Sequence, residues 1–186
     1  MGYVFDPQKI HEIGLQARGL PHGEMCRAIT AALASAYPGH VETRPDWLFN
    51  ITAGATGIMT VLHASLSEYV ILFGTPVGTE GFSGRYLVEI WDSVLSGEMW
   101  TYTEDNPGEK IVHRPGELAC LGRDQVKGFR LRDETWLLEY GRGLIPTALP
   151  LALGDSVFSS MDPYTVIKTL WIYGRLTTRE LLKGKI

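Results

Sequence analysis

The stretch "TWLLEY" (135–140) sets Glu139 among Trp136, Leu137, Leu138 and Tyr140, and "YLVEIWDSV" (86–94) sets Glu89 and Asp92 in a run of similar character. Alternate residues of an extended strand share a face. Tyr86, Val88, Ile90, Asp92 and Val94 then lie together, Leu87, Glu89 and Trp91 lie opposite, and Glu139 shares its side with Thr135 and Leu137. Asp92 and Glu139 are therefore acids on aliphatic faces, the pattern of carboxyl groups turned into an apolar interior. If two such acids meet, repulsion and desolvation raise at least one of their pKa values, and the pair holds a single proton near neutral pH. A pair of this kind can protonate a substrate and stabilise the resulting cation, or it can hold a ligand that is already cationic. The structural alternative is that both acids bond backbone amides, or Arg85 and Arg142.

Other chemistries have weaker signals. His11, His22, His40, His63 and His113 show no HxH or HExxH spacing, so no metal site is expected and no cofactor is implied. "GTEGFSGR" (78–85) lacks the glycine spacing of a phosphate loop and reads as a β-turn connection, while Ser65 and Ser67 near His63 lack a nucleophile elbow. Cys26 and Cys120 are isolated thiols that signal neither zinc nor a disulfide framework, although one bridge between them stays open. A formal charge of −4 over 186 residues gives no broad basic field, which argues against nucleic acid as a partner.

Helices are expected at both ends of the chain and strands between them. Asp6-Pro7 and Asp162-Pro163 each carry an N-cap and N1 signature. The first precedes Ile10, Ile13 and Ala17 at helical spacing, with a second stripe of Met25, Ile29, Ala32, Leu33 and Ala36 ending at "YPGH". The other precedes Val166, Ile167, Leu170, Trp171 and Tyr173, an aromatic apolar stripe with basic flanks that suits a membrane surface, a barrel mouth, another subunit or the chain's own core. "ALPLALGDSVFSS" reads as a short helix or a pair of turns. From about Trp47, short aromatic and β-branched segments parted by Gly, Pro and Asp predict an antiparallel sheet closed or folded on itself. One domain, residues 1–186, is expected from the length. No signal peptide and no membrane-spanning run is read in the chain, since "LIPTALPLALG" (144–154) is short and interrupted by Pro146 and Pro150.

Longer blocks carry a resemblance. "LHASLSEYVILFGTPVGTEGFSGRY" (62–86), "WDSVLSG" (91–97), "VHRPGE" (112–117) and "TWLLEYGRGLIPTALPLALGDSVFSS" (135–160) resemble the family that joins the sigma-1 receptor with fungal C-8 sterol isomerase, and "YVFDPQKIHEI" (3–13) is similar to the isomerase's segment after its membrane anchor. The resemblance implies an α+β, mainly β fold. Its centre would be a cupin-like β-barrel flanked by N-terminal helices, with two C-terminal amphipathic helices facing the membrane. It also implies a cavity for a hydrophobic small molecule (a sterol or a cationic amine), a homo-oligomer such as a trimer, and association with the endoplasmic reticulum membrane; a cytoplasmic, anchorless homologue is the alternative. No metal is implied despite the cupin shape.

By the same matching, Glu139 pairs with a ligand amine, Asp92 bonds to Glu139, and Met59, Tyr69, Leu72, Phe73, Ile90 and His113 line the pocket. The isomerases lack an acid at the position of Asp92 and carry one at that of Glu89, so Glu89 is a further catalytic candidate. Ala55 replaces a receptor Trp, and Phe82 replaces the His of its "GHSGR". The implied chemistry is movement of a ring double bond from Δ8 to Δ7: protonation of one alkene carbon, a tertiary carbocation, and loss of a proton from the neighbouring carbon. A non-catalytic sigma-type binding protein and an enzyme that acts on another apolar polycycle through a carbocation are the two other readings.

Overall fold

The computed structural model describes residues 2–186. Helices α1 (Pro7–Ala17) and α2 (His22–Ala36) come first. Ten strands follow: β1 (Trp47–Thr52), β2 (Ala55–Ala64), β3 (Glu68–Thr75), β4 (Thr79–Phe82), β5 (Val88–Ser96), β6 (Met99–Tyr102), β7 (Ile111–His113), β8 (Leu118–Leu121), β9 (Gly128–Leu131) and β10 (Thr135–Gly143). A 3₁₀ turn (Ile145–Ala148) and helices α3 (Leu149–Phe158) and α4 (Pro163–Leu181) close the chain. Both Asp-Pro signatures act locally as expected. The Asp6 carboxylate accepts from the Lys9 amide at 2.8 Å, and Asp162 accepts from the Thr165 amide at 3.1 Å, each satisfying a free N–H of a first helical turn.

The strands form two antiparallel sheets, one in the order β1-β2-β3-β10-β5-β8 and one in the order β4-β9-β6-β7. Their ladders do not join into one cylinder, so in place of the expected barrel the chain builds two facing sheets. The connection expected at "GTEGFSGR" is in part a strand, since Thr79–Phe82 pairs with Phe82 opposite Gly128 and Thr79 opposite Leu131. Strand β8, in a segment without a strong alternating signal, docks its Ala119 opposite Asp92.

The larger sheet separates two cores. On one face, Leu62, Val70, Leu72, Leu95, Leu138 and Tyr140 pack against Ile10, Ile13, Ile29 and Leu33 of the N-terminal helices. Each fully buried aliphatic side chain here contributes roughly 1.5–3 kcal/mol. On the other face, Met59, Tyr69, Ile71, Phe73, Ile90, Val94 and Leu137 meet Met99 and Leu131 of the smaller sheet, with Ile172 and Leu176 of α4. Alternation along each strand delivers one set of residues to each core, and the functional candidates belong to the second. Helix α4 buries Thr169, Ile172 and Leu176, while Tyr164, Ile167 and Trp171 remain outside. Of the stripe expected on α4, Ile167, Leu170 and Trp171 lie outside, Val166 is half-buried and Tyr173 lines the inner cavity, so the core-facing side is a different one.

Candidate functional site

Strand β10 lies between β3 and β5, and its register places Glu139 directly opposite Asp92 of β5 and Ile71 of β3. Directly opposed residues hold their Cβ atoms about 5 Å apart, so the two carboxyls come within hydrogen-bonding reach of each other. Tyr69, on β3, donates its hydroxyl to Glu139 Oε1 at 2.6 Å. Gly141 makes this possible. It stands opposite Tyr69, and a Cβ there would lie 2.3 Å from the tyrosine ring, so only glycine lets the ring lie across β10 and aim its hydroxyl at Glu139.

Asp92 has a second partner. Lys127 Nζ donates to Asp92 Oδ2 at 2.5 Å, and both residues are nearly inaccessible to solvent. Lys127 precedes β9 and is pinned by its backbone: its amide donates to Ser83 Oγ at 2.9 Å, and its carbonyl accepts from the Ser83 amide at 3.0 Å. The expected structural partners of the acids are engaged elsewhere. Arg142 bonds Glu89 at 2.8 Å, and Arg85 bonds Glu104 at 2.6 Å.

The environment shifts the titration of Glu139 strongly. Loss of hydration, followed by the nearby Asp92 charge, pushes it up from 4.5 to about 8, against the opposing effects of the Tyr69 hydroxyl and the Lys127 ammonium. Glu139 retains some accessible area, and that area faces a cavity rather than bulk water. At neutral pH it holds a proton beside the Asp92–Lys127 ion pair. Tyr69, Tyr86 and Tyr173 around it are all pushed upward, first by burial and then by the Glu139 charge.

The cavity lies between the sheets under the C-terminal helices. Of the residues expected to line it, Met59, Tyr69, Phe73 and Ile90 do so, together with Asp92 and Glu139. Ala55 and Phe82 also line it. Three expectations are corrected by placement. Leu72 points to the opposite face and packs in the helical core. His113 borders a separate polar recess, where its Nε2 lies 3.0 Å from Thr101 Oγ1. Glu89 is on the outer face of β5 with Arg142 and Arg123, because alternation directs it away from Asp92.

Lys127, Tyr86 and Tyr173 line the cavity without having been singled out from the sequence. The signal for Lys127 was available: in "QVKGFRL" it shares a period-2 face with Phe129 and Leu131, as Asp92 does with Ile90 and Val94. Among the described residues, no group of three or more His, Cys, Asp or Glu side chains is arranged to hold a metal ion. What the site offers is one protonated carboxyl, one carboxylate paired with an ammonium, and walls of aromatic and aliphatic side chains. It can deliver a proton to an apolar molecule and face the resulting positive charge with π-faces and a carboxylate.

The chain is similar to known proteins. The family model described as "ERG2 and Sigma1 receptor like protein" matches residues 1–185. The chain is 38% identical over 180 residues to "Sigma non-opioid intracellular receptor 1" of Gallus gallus, covering 92% of this chain and 78% of that protein. It is 36% identical over 191 residues to "C-8 sterol isomerase" of Pyricularia oryzae, covering 98% of this chain and 85% of that protein. Among solved structures, an RmlC-like cupin from Shewanella frigidimarina aligns with a TM-score of 0.43 and 14% identity, over 54% of this chain and 85% of that one. From the family match and these identities, the chain belongs to the family of ERG2 and sigma-1 receptor-like proteins.

Proposed function

We propose that the protein is an isomerase that shifts a ring double bond, of the Δ8 to Δ7 type, in a sterol or sterol-like lipid. The observation that carries this reading is a carboxyl raised to about 8, facing an apolar cavity, with a second carboxylate directly across the ladder. Protonated Glu139 gives its proton to one alkene carbon, which leaves a tertiary carbocation on the other. The Glu139 and Asp92 carboxylates oppose that charge, and Tyr69, Phe73, Tyr86 and Tyr173 turn polarizable rings toward it. Asp92 accepts the proton lost from the neighbouring carbon, and once product leaves the pair exchanges with water and Glu139 regains a proton. The double bond has then moved one position, with no net consumption of protons.

The second reading, a non-catalytic protein that binds hydrophobic cationic amines, is favoured by the identity to a sigma receptor and uses the same acids. Ala55 and Phe82 in the cavity wall allow a substrate shape other than a sterol, including another polycycle that reacts through a carbocation. Incubation with a Δ8 sterol in deuterated water separates the first two readings: the isomerase yields Δ7 product carrying one deuterium by mass spectrometry. Absence of turnover beside tight amine binding supports the receptor reading.

Phe158, Met161, Tyr164, Ile167 and Trp171 form an exposed apolar face on α3, α4 and the turn between them. No helix among the described residues is long and apolar enough to cross a membrane. We extend the proposal to a homo-oligomer, such as a trimer, seated on the endoplasmic reticulum membrane through this face. Flotation with liposomes tests the seating, and retention of Trp171→Glu at wild-type levels would refute it.

A further inference from the structure

Lys127 stands in the wall between two spaces of opposite character, and we infer that it is a proton-relay residue, through which the Glu139–Asp92 pair exchanges its proton with water outside the apolar cavity. It lines that cavity, and it also lines a separate polar recess with Thr101, Thr103, Glu104, His113 and Gln125. Ala119, directly across the ladder from Asp92, borders the recess as well, so the recess begins one residue away from the acid. Its rim carries the exposed Arg85–Glu104 ion pair and is open to solvent. Under the helices, by contrast, the cavity is walled by Leu149, Leu151, Ala152 and Tyr173. Water finds few partners along that wall, and a bound apolar polycycle expels it.

The Lys127 ammonium has the donors such a route needs. It carries three N–H groups, and Asp92 Oδ2, at 2.5 Å, is the one acceptor it has among the described residues. Leaving the other two unpaired in a buried place is costly, so they turn to water, which the recess supplies. Ser83 bonds Lys127 on both sides of its peptide, which keeps the ammonium at the wall while leaving it free to rotate about its last bond.

The exchange needs no further reactant. Lys127 gives one proton to Asp92, which leaves both carboxyls and the amine neutral. The two carboxyls trade protons across their shared hydrogen bond, and Asp92 returns the substrate-derived proton to the amine. The restored ammonium rotates and exchanges that proton with water in the recess. The site ends with the same charges and the same number of protons, but with a proton from solvent on Glu139.

This inference rests on the isomerase reading and names the proton route for it. Its test supplies a Δ8 sterol to the full chain in deuterated water over many turnovers and reads deuterium in the Δ7 product by mass spectrometry. The wild type is expected to place one deuterium in nearly every product. Lys127→Arg keeps the charge and a hydrogen bond to Asp92, but a guanidinium does not give up its proton. In that variant the proton taken from one substrate returns to the next, and product deuterium falls at least about twofold while turnover persists. A Lys127 that serves only structure or charge would leave deuterium at the wild-type level in the arginine variant, and that result overturns the inference.

Where Lys127→Arg fails to fold or to turn over, Thr103→Trp, a half-buried position in the recess away from the acids, decides by the same measurement. Failure of the isomerase reading is told apart as follows. If the wild type shows no turnover, exchange of the Lys127 ammonium protons with water is followed by NMR in the chain with isotope-labelled lysine. Slowing by at least about tenfold in Thr103→Trp supports the route through the recess, and an unchanged rate overturns it.

Discussion

Glu68 and Glu139 stand on the neighbouring strands β3 and β10, both within sheet segments that are mostly apolar, and they face opposite layers of the molecule. Glu68 accepts from the Val4 amide at 2.9 Å, the Phe5 amide at 3.1 Å and the Tyr140 hydroxyl at 2.7 Å, and it pairs with Lys185 at 2.7 Å. Lys185 in turn donates to Ser67 Oγ at 2.9 Å, so this one carboxylate ties both ends of the chain to β3. Glu139 receives the Tyr69 hydroxyl and confronts another acid. The difference lies in the supply of donors. A buried carboxyl saturated by donors and an ammonium is a fastening, whereas one starved of donors beside a like charge retains a proton it can give away.

The sharpest way to break this comparison is to neutralise each acid in turn. Glu139→Gln is expected to reduce turnover by roughly 10²–10⁴-fold, the range of general acid–base contributions, without loss of thermal stability. Retained turnover in the deuterium assay would make Glu139 structural. Glu68→Gln should do the opposite: it strands Lys185 in a buried position and lowers stability by about 3–5 kcal/mol in denaturant titration, while turnover per folded molecule is unchanged.

The pH dependence sharpens the contrast. The unfolded chain releases the Glu139 proton near 4.5 and the folded protein keeps it to about 8, so this group's contribution to stability falls as pH rises between those values and is level above them. Glu139→Gln should lack that fall, as read by thermal unfolding across the window. Turnover needs the protonated form and is expected to decline as pH passes about 8.

The smallest effect concerns the single donor that Glu139 does have. Tyr69→Phe removes a hydrogen bond that favours the ionised form, so the alkaline limb of the turnover profile should move to higher pH, with turnover changed by about tenfold or less. Gly141→Ala, which forces the Tyr69 ring aside, is expected to move the limb in the same direction. A limb that stays in place in both variants would remove Tyr69 from the site.

The two glutamates also show how far the sequence can be read. In "SEYVILFGT" Glu68 shares a face with Val70 and Leu72, as Glu139 does with Leu137, so the same alternating signal marks a fastening and a reactive acid alike. Glu89 was correctly assigned to the other face of β5 by alternation, yet the family comparison kept it among the catalytic candidates. Helix α4 was legible from Asp162-Pro163, whereas α3 reads from the sequence as a short helix or a pair of turns. Strands β4 and β8 were not legible, because TEGF lies in a glycine-rich run and LACL lacks β-branched and aromatic residues, so their pairing partners decide them.

The sequence by itself determined what is local: the capped starts of α1 and α4, the side of each long strand on which an acid stands, and the family resemblance carried by its longer blocks. Only the tertiary structure decided which buried acids meet and what meets them. Strand β10 inserts between β3 and β5, setting Glu139 against Asp92 and Tyr69, and the start of β9 brings Lys127 to Asp92. Strand neighbours are chosen by non-local pairing, and the proton on Glu139 depends on which charges and donors that pairing brings beside it.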